Sequence, residues 1–223
     1  MALSKLTYNS LNVTAAASKA VGFGSGADDL SASLSGGSMV FIKKLTADGS
    51  AGTLSFVDGS DDVVLDNTYK EYIFIFNNLH PSNNSPQFLF QGNAAGGSGY
   101  NETITSTSFY SYLKEDDTDN AFSYRTAADQ AQGTSFQQLT VYGIGYGNDS
   151  SLDGYLHLYD PSNTTFVKHF TSRVINEYDS SAAYAVDAYA AGYFNTTSAI
   201  DEIQFKLAAG NFDAGTITLY GIS

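Results

Sequence analysis

Three histidines and three short acidic runs are the residues of this chain best equipped to act on a substrate. A hydrolase needs a hydroxyl nucleophile, a histidine base and a carboxylate to orient the ring. The bases on offer are His80, His157 and His169. His80 precedes Pro81 and reads as a turn residue, while His157 and His169 fall in strand-like stretches, placed to face each other across a hairpin. No G-x-S-x-G elbow accompanies them, so surface or paired strand histidines are the expected role.

The acidic runs are Asp28-Asp29, Asp58-Gly-Ser-Asp-Asp62 and Glu115-Asp-Asp-Thr-Asp119. Two carboxylates flanking a sugar bond would make a glycosidase, and oxygen ligands at Asp58–Asp62 could hold calcium. The run lacks the D-x-D-x-D-G order of a calcium loop, and Asp and Gly are turn formers by default. Turns are therefore expected at all three, with no catalytic residue, metal ligand or cofactor site assigned. Gly22-Phe-Gly-Ser-Gly-Ala27 matches the letters of a dinucleotide fingerprint, but that motif works only between a buried strand and a helix, and neither is expected there. Tyr100, Tyr110, Tyr112, Tyr142 and Tyr146 have the area and the polar tip to stack on sugars or line an interface. Alternating tyrosine is also ordinary in half-exposed strands, so a structural role that includes oligomer contacts is preferred.

The elements that must position these groups are strands. Of 223 residues, 43% are apolar but only 15% are charged, against about 25% in an ordinary globular chain, so the surface must be built from Ser, Thr, Asn, Gln and Gly. A net charge of −13 with only 10 Lys plus Arg provides no basic face for phosphates, and nucleic acid is excluded as a partner. The absence of cysteine removes disulfides and thiolate chemistry. Met1–Thr7 has no apolar leader core and no stretch reaches the roughly 18 apolar residues of a span, so synthesis in the cytoplasm and no membrane partner are expected. Asn12, Asn101, Asn148, Asn163 and Asn195 fit the glycosylation sequon, read here as part of a Thr/Asn-rich β-surface.

Residues 1–37 are small and polar and cannot bury enough surface to fold alone; they read as an extended arm. Residues 38–223 carry about eleven strand candidates at the spacing of a sandwich or barrel. They are 39–45, 53–57, 69–79, 88–90, 103–112, 139–142, 152–159, 166–175 and 184–193, then a final pair around the turn Asn211–Gly215. In 69–79, Tyr72, Phe74 and Phe76 alternate with Ile73 and Ile75, which predicts a strand covered on both sides. A single helical turn is expected at Thr126–Gln132. Pro81-Ser-Asn and Pro161-Ser-Asn each join two strands, as equivalent hairpins in the two halves of a jelly roll would. The fold class is all-β: an antiparallel, jelly-roll-like β-sandwich with an N-terminal arm.

Several phrases look like those of virion structural proteins of marine, cyanophage-like tailed bacteriophages. They include Phe56-Val-Asp-Gly-Ser60, Asp66-Asn-Thr-Tyr-Lys-Glu-Tyr-Ile-Phe74, Leu79-His-Pro-Ser82, Leu152-Asp-Gly-Tyr-Leu-His-Leu158, Asn163-Thr-Thr-Phe-Val-Lys-His-Phe170, Gly192-Tyr-Phe-Asn-Thr-Thr-Ser-Ala-Ile200 and Gly210-Asn-Phe-Asp-Ala-Gly-Thr-Ile217. The resemblance implies a non-enzymatic particle component located in the virion, and it carries no catalytic residues. Two roles fit: an outer capsid decoration or cement protein anchored by its arm, or a tail-fibre or head-fibre module binding a host glycan. A fibre needs a long repetitive shaft, which this chain lacks, so decoration is favoured. The partners expected are other virion proteins, such as the major capsid protein or fibre components. Exposed aromatic strands call for burial in a homo-oligomer, with a trimer preferred.

Overall fold

The computed structural model describes residues 22–23, 30–31, 38–178 and 183–222. The chain divides into two compact units, Met1–Ser38 and Met39–Ser223. In the first unit β1 (Gly22–Phe23) and β2 (Leu30–Ser31) form a two-residue antiparallel ladder. The rest of the expected arm, including Asp28-Asp29, lies outside the described residues.

The second unit contains β3 (Met39–Thr46), β4 (Thr53–Val57), β5 (Glu71–Pro81), β6 (Phe88–Ala94), β7 (Ile104–Lys114), β8 (Asn120–Tyr124) and β9 (Ala131–Gly133). It continues with β10 (Gln137–Gln138), β11 (Leu152–Tyr159), β12 (Lys168–Tyr178), β13 (Tyr184–Phe194), β14 (Ile200–Leu207) and β15 (Phe212–Ile222). Every ladder is antiparallel, and the described residues contain no helix. A nine-stranded sheet runs β3-β15-β5-β11-β12-β13-β7-β8, with β9 also on β7, and a four-stranded sheet runs β10-β6-β14-β4. The molecule is an antiparallel β-sandwich. Consecutive strands repeatedly change sheet, at β3 to β4, β4 to β5, β5 to β6, β6 to β7 and again from β13 through β15.

The core is where alternating apolar residues of both sheets meet. Phe205 on β14 is its hub: Phe74 and Phe76 of the large sheet lie 5.3 Å from it, and Phe56, Phe88 and Phe90 of the small sheet lie within 6.3 Å. Three of these five contacts meet edge-on, at 62–88°, an arrangement that the ring quadrupole favours, and the other two are stacked. The alternation on β12 also sends Lys168 inward, where it is fully buried. Its ammonium donates to the carbonyls of Asn163, Phe166 and Thr196 at 2.9–3.2 Å, so three carbonyls from two connections replace its water shell.

Several expectations are corrected. Ile73 and Ile75 lie half-buried on the outer face of the large sheet, because among the described residues of this unit no second layer covers that side of β5. Residues 139–142 form no strand; Leu139 and Val141 are buried from an irregular segment, since the short β10 has already taken the edge of the small sheet. The helical turn expected at Thr126–Gln132 is a hydrogen-bonded turn closed by Ala128 N–H on Arg125 O, leading into β9. The two Pro-Ser-Asn corners are not equivalent: the first leads from β5 across to β6 in the other sheet, and the second joins the neighbours β11 and β12.

Phe205→Ala should destabilise the protein by about 3–5 kcal/mol, because five rings lose their common partner. Phe122→Ala, at an exposed site, should stay within about 0.5 kcal/mol of the parent. Denaturant melts of the two variants check both values, and similar losses would show that the core is not centred on Phe205.

Candidate functional site

His80 sits at a β-bulge of β5 opposite Ala214 and lines a polar basin of about 440 Å³ with Asn78, Asp149, Ser151 and Asp213. Its Nδ1 lies 2.7 Å from Asp213 Oδ1 and its Nε2 3.1 Å from the Gly147 carbonyl. Burial opposes the charged ring, but the Asp213 carboxylate and the Gly147 and Tyr146 carbonyls outweigh it and raise the pKa above its ordinary value. Both ring nitrogens are engaged, so neither is free to take a proton from a hydroxyl in this arrangement.

His157 and His169 do not face each other, as the sequence suggested. The β11–β12 register sets His157 opposite Thr171, two positions along β12 from His169 on the same outer face. His157 stacks on Tyr159 with centroids 4.2 Å apart, and Glu71 Oε2 approaches its Nε2 at 3.0 Å without hydrogen-bond alignment. His169 leans on Tyr193, 5.6 Å away.

The described acidic runs are turns. Asp58 Oδ1 accepts the Leu65 N–H at 2.8 Å, and Gly59, Asp61 and Asp62 adopt the left-handed conformations that close the loop. Glu115–Asp119 closes the β7–β8 hairpin: Asp116 accepts from Thr118 and pairs with Lys114, and Asp117 is left-handed. The Thr118 hydrogen bonds, then Lys114, hold the Asp116 pKa down at about 2. Among the described residues no three His, Asp or Glu side chains converge as metal ligands.

The tyrosines do converge. Tyr110 and Tyr112 of β7, Tyr178 of β12 and Tyr184 of β13 share the inner face at one end of the large sheet, and Tyr142 from the 139–151 segment packs onto them. Tyr142 stacks on Tyr178 at 5.2 Å and meets Tyr110 and Tyr112 edge-on, while Tyr112 meets Tyr184 at 5.4 Å. A cavity of about 320 Å³ opens among Tyr112, Tyr142, Tyr178, Tyr184 and Asp119. The Tyr112 hydroxyl donates to Asp119 Oδ2 at 3.0 Å, which raises its pKa; burial, then the Tyr110 hydroxyl, raises that of Tyr142. With both raised, the Tyr112 and Tyr142 phenols are neutral at physiological pH.

A second aromatic feature crosses the outer face. The registers align Tyr124, Phe109, Tyr189, Arg173, Tyr155 and Ile75 in one row across six strands. Phe109 and Tyr189 stack at 4.7 Å and 6°, and Phe122 tilts onto Phe109. Arg173 lies over Tyr189 and holds Asp187 bidentately at 2.8 and 3.0 Å, and Asp187 also accepts the Tyr189 hydroxyl. Beside the row, a trough of about 420 Å³ is floored by Ala191 and Gly192 and walled by Thr107, His169, Thr171 and Tyr193.

Of the five tyrosines singled out in the sequence, Tyr110, Tyr112 and Tyr142 belong to the cluster. Tyr100 packs near Phe136, and Tyr146 stands exposed. Tyr178, Tyr184 and the Phe109–Tyr189–Arg173 row were missed, because only the strand registers bring them together. Searches against protein-family models, curated proteins and solved structures find no match for this chain.

A raised imidazole pKa stabilises the fold fully below the unfolded value near 6.5 and ceases to as pH rises through the higher folded value. The melting-temperature gap between the parent and His80→Gln should therefore be wider at about pH 5.5 than at about pH 9. The partly exposed pair limits the difference to about 1 kcal/mol or less. Equal gaps at both pH values would show that His80 does not titrate against Asp213.

Proposed function

We propose that this chain is a non-enzymatic structural protein of a bacteriophage particle. In this reading it is an outer capsid decoration or cement protein, anchored on other virion proteins by residues 1–37. The observation that carries the proposal is the outer face of the large sheet, where Phe122 is 73% exposed, Phe41 59% and Tyr155 43%. Apolar rings spread over a broad face are a contact surface, and a closed homo-oligomer, as a trimer, would bury them. The acidic surface suits exposure to solvent and would be repelled by packaged DNA. The repeated crossing between sheets supports a jelly-roll-like connectivity, and the phage-like phrases of the sequence support the particle context.

A second reading, a fibre module that binds a host glycan, is favoured by one feature. The flat Phe109–Tyr189 stack beside the Arg173–Asp187 pair offers a ring platform with hydrogen-bonding groups at its edge.

Gold-labelled antibody on intact particles should decorate the head; label confined to the tail would replace decoration with the fibre reading. Removing residues 1–37 should leave the melting temperature of the sandwich unchanged and abolish incorporation into particles. Normal incorporation of the truncated chain would refute the anchor.

A further inference from the structure

The tyrosine-lined cavity has a chemistry that neither an assembly face nor a glycan platform requires. Its lining is four phenol rings and one carboxylate, with no lysine, arginine, amide or histidine among them. The rings come from three strands and a loop, so their spacing is set by the sheet and not by a flexible segment: Tyr178 and Tyr184 are the last inter-strand pair of β12 and β13, and Tyr112 lies diagonally across from Tyr184 on β7.

Charge selects among ligands that such a site could take. Asp119 stands at the rim, and the turn it belongs to also carries Glu115, Asp116 and Asp117. The one cation of that turn, Lys114, is turned to Asp116 and Thr118 at 3.0 and 2.9 Å. The turn is therefore net negative beside four tyrosine rings. A guanidinium already uses this cluster: Arg125 lies 5.5 Å above the Tyr142 ring, although it does not line the cavity. Aromatic faces beside a carboxylate attract a cation that is large, weakly hydrated and apolar at its surface. Sodium or potassium would have to shed water onto a single carboxylate and is disfavoured. A neutral sugar would find phenol hydroxyls but would gain nothing from the charge.

We propose that the cavity among Tyr112, Tyr142, Tyr178, Tyr184 and Asp119 binds a quaternary or methylated ammonium group. The group could belong to a free choline-like molecule or to a methylated side chain of a partner, since both present the same head. About 320 Å³ accommodates a trimethylammonium with part of the chain that bears it.

The test is a titration of the full chain by NMR, following the tyrosine ring resonances, with choline, its neutral carbon isostere, methyl glucoside and a trimethyl-lysine peptide. Choline should shift the rings of the four lining tyrosines saturably, and the neutral isostere should bind about tenfold more weakly. Tyr184→Leu should weaken choline by about tenfold, while Tyr184→Phe, which keeps the π face, should bind within about twofold of the parent. Asp119→Asn, on an exposed turn where folding is not at stake, should weaken choline several-fold. Tighter binding of the peptide than of choline would assign the head group to a partner chain, and the reverse order to a small molecule. Equal binding of choline and its neutral isostere would overturn the cation assignment. Binding of methyl glucoside without choline, or of none of the four, would overturn it as well. Failure here leaves the decoration reading standing, because particle labelling does not depend on this cavity.

Discussion

The structure depends on one mismatch, a sheet of nine strands packed against a sheet of four. Strands spaced about 4.8 Å apart make the small sheet about 14 Å wide and the main row of the large one about 34 Å. The small sheet can therefore cover only part of the large sheet's inner face. Where the two overlap, Phe205 locks them together with rings from both sides, and contacts of this kind supply most of the stability of a cysteine-free chain. Every other feature described follows from how the uncovered remainder is handled.

Beyond the edge of the small sheet, the inner face is closed by the irregular segment between β8 and β11. That segment is pinned by buried amides. Gln91 Nε2 donates to the carbonyls of Thr134 and Ser135, Gln137 Nε2 to those of Ala128 and Gln138, and Asn176 Nδ2 to that of Gly143. Such bonds allow non-repetitive backbone to be buried without leaving its carbonyls unpaired. Tyrosine suits the margin of this lid, because one end of the ring packs and the other reaches water. The tyrosine cavity is thus the place where the cover of the large sheet runs out.

The outer face meets the opposite condition, since no strand or loop of the described residues of the second unit lies over it. Some of its charged groups are mutually engaged, as Arg173 with Asp187 and Glu71 with His157. Exposed pairs like these add little stability, but they leave the rings between them uncovered by free charge. A face made of ordered rings and neutralised charges is suited to lying against something flat.

Much of the fold was legible in the sequence, because the period-2 alternation that identifies a half-buried strand is a local property. Tyr72, Phe74 and Phe76 were correctly placed on one face, and the last two strands were foreseen, although the connection between them is 208–211 and most of the expected turn Asn211–Gly215 belongs to β15. What failed were statements about the other side of a strand or about its neighbour. Ile73 and Ile75 have the same composition whether a second layer covers them or not, and β8, with its exposed Phe122 and Tyr124, carries no buried alternation to announce it. Of the site, single tyrosines could be named but not their company. Tyr112, Tyr142, Tyr178 and Tyr184 are spread over more than seventy residues, and Phe109, Tyr189 and Arg173 align only through the registers of β7, β13 and β12. The sequence by itself determined most of the long strands, their inward residues and the acidic, weakly charged surface, because each depends on neighbours along the chain. Which strands became neighbours, and so which rings met around a cavity or in a row, was decided only by the pairing of strands distant in sequence, where a slip of one residue would turn every side chain to the opposite face.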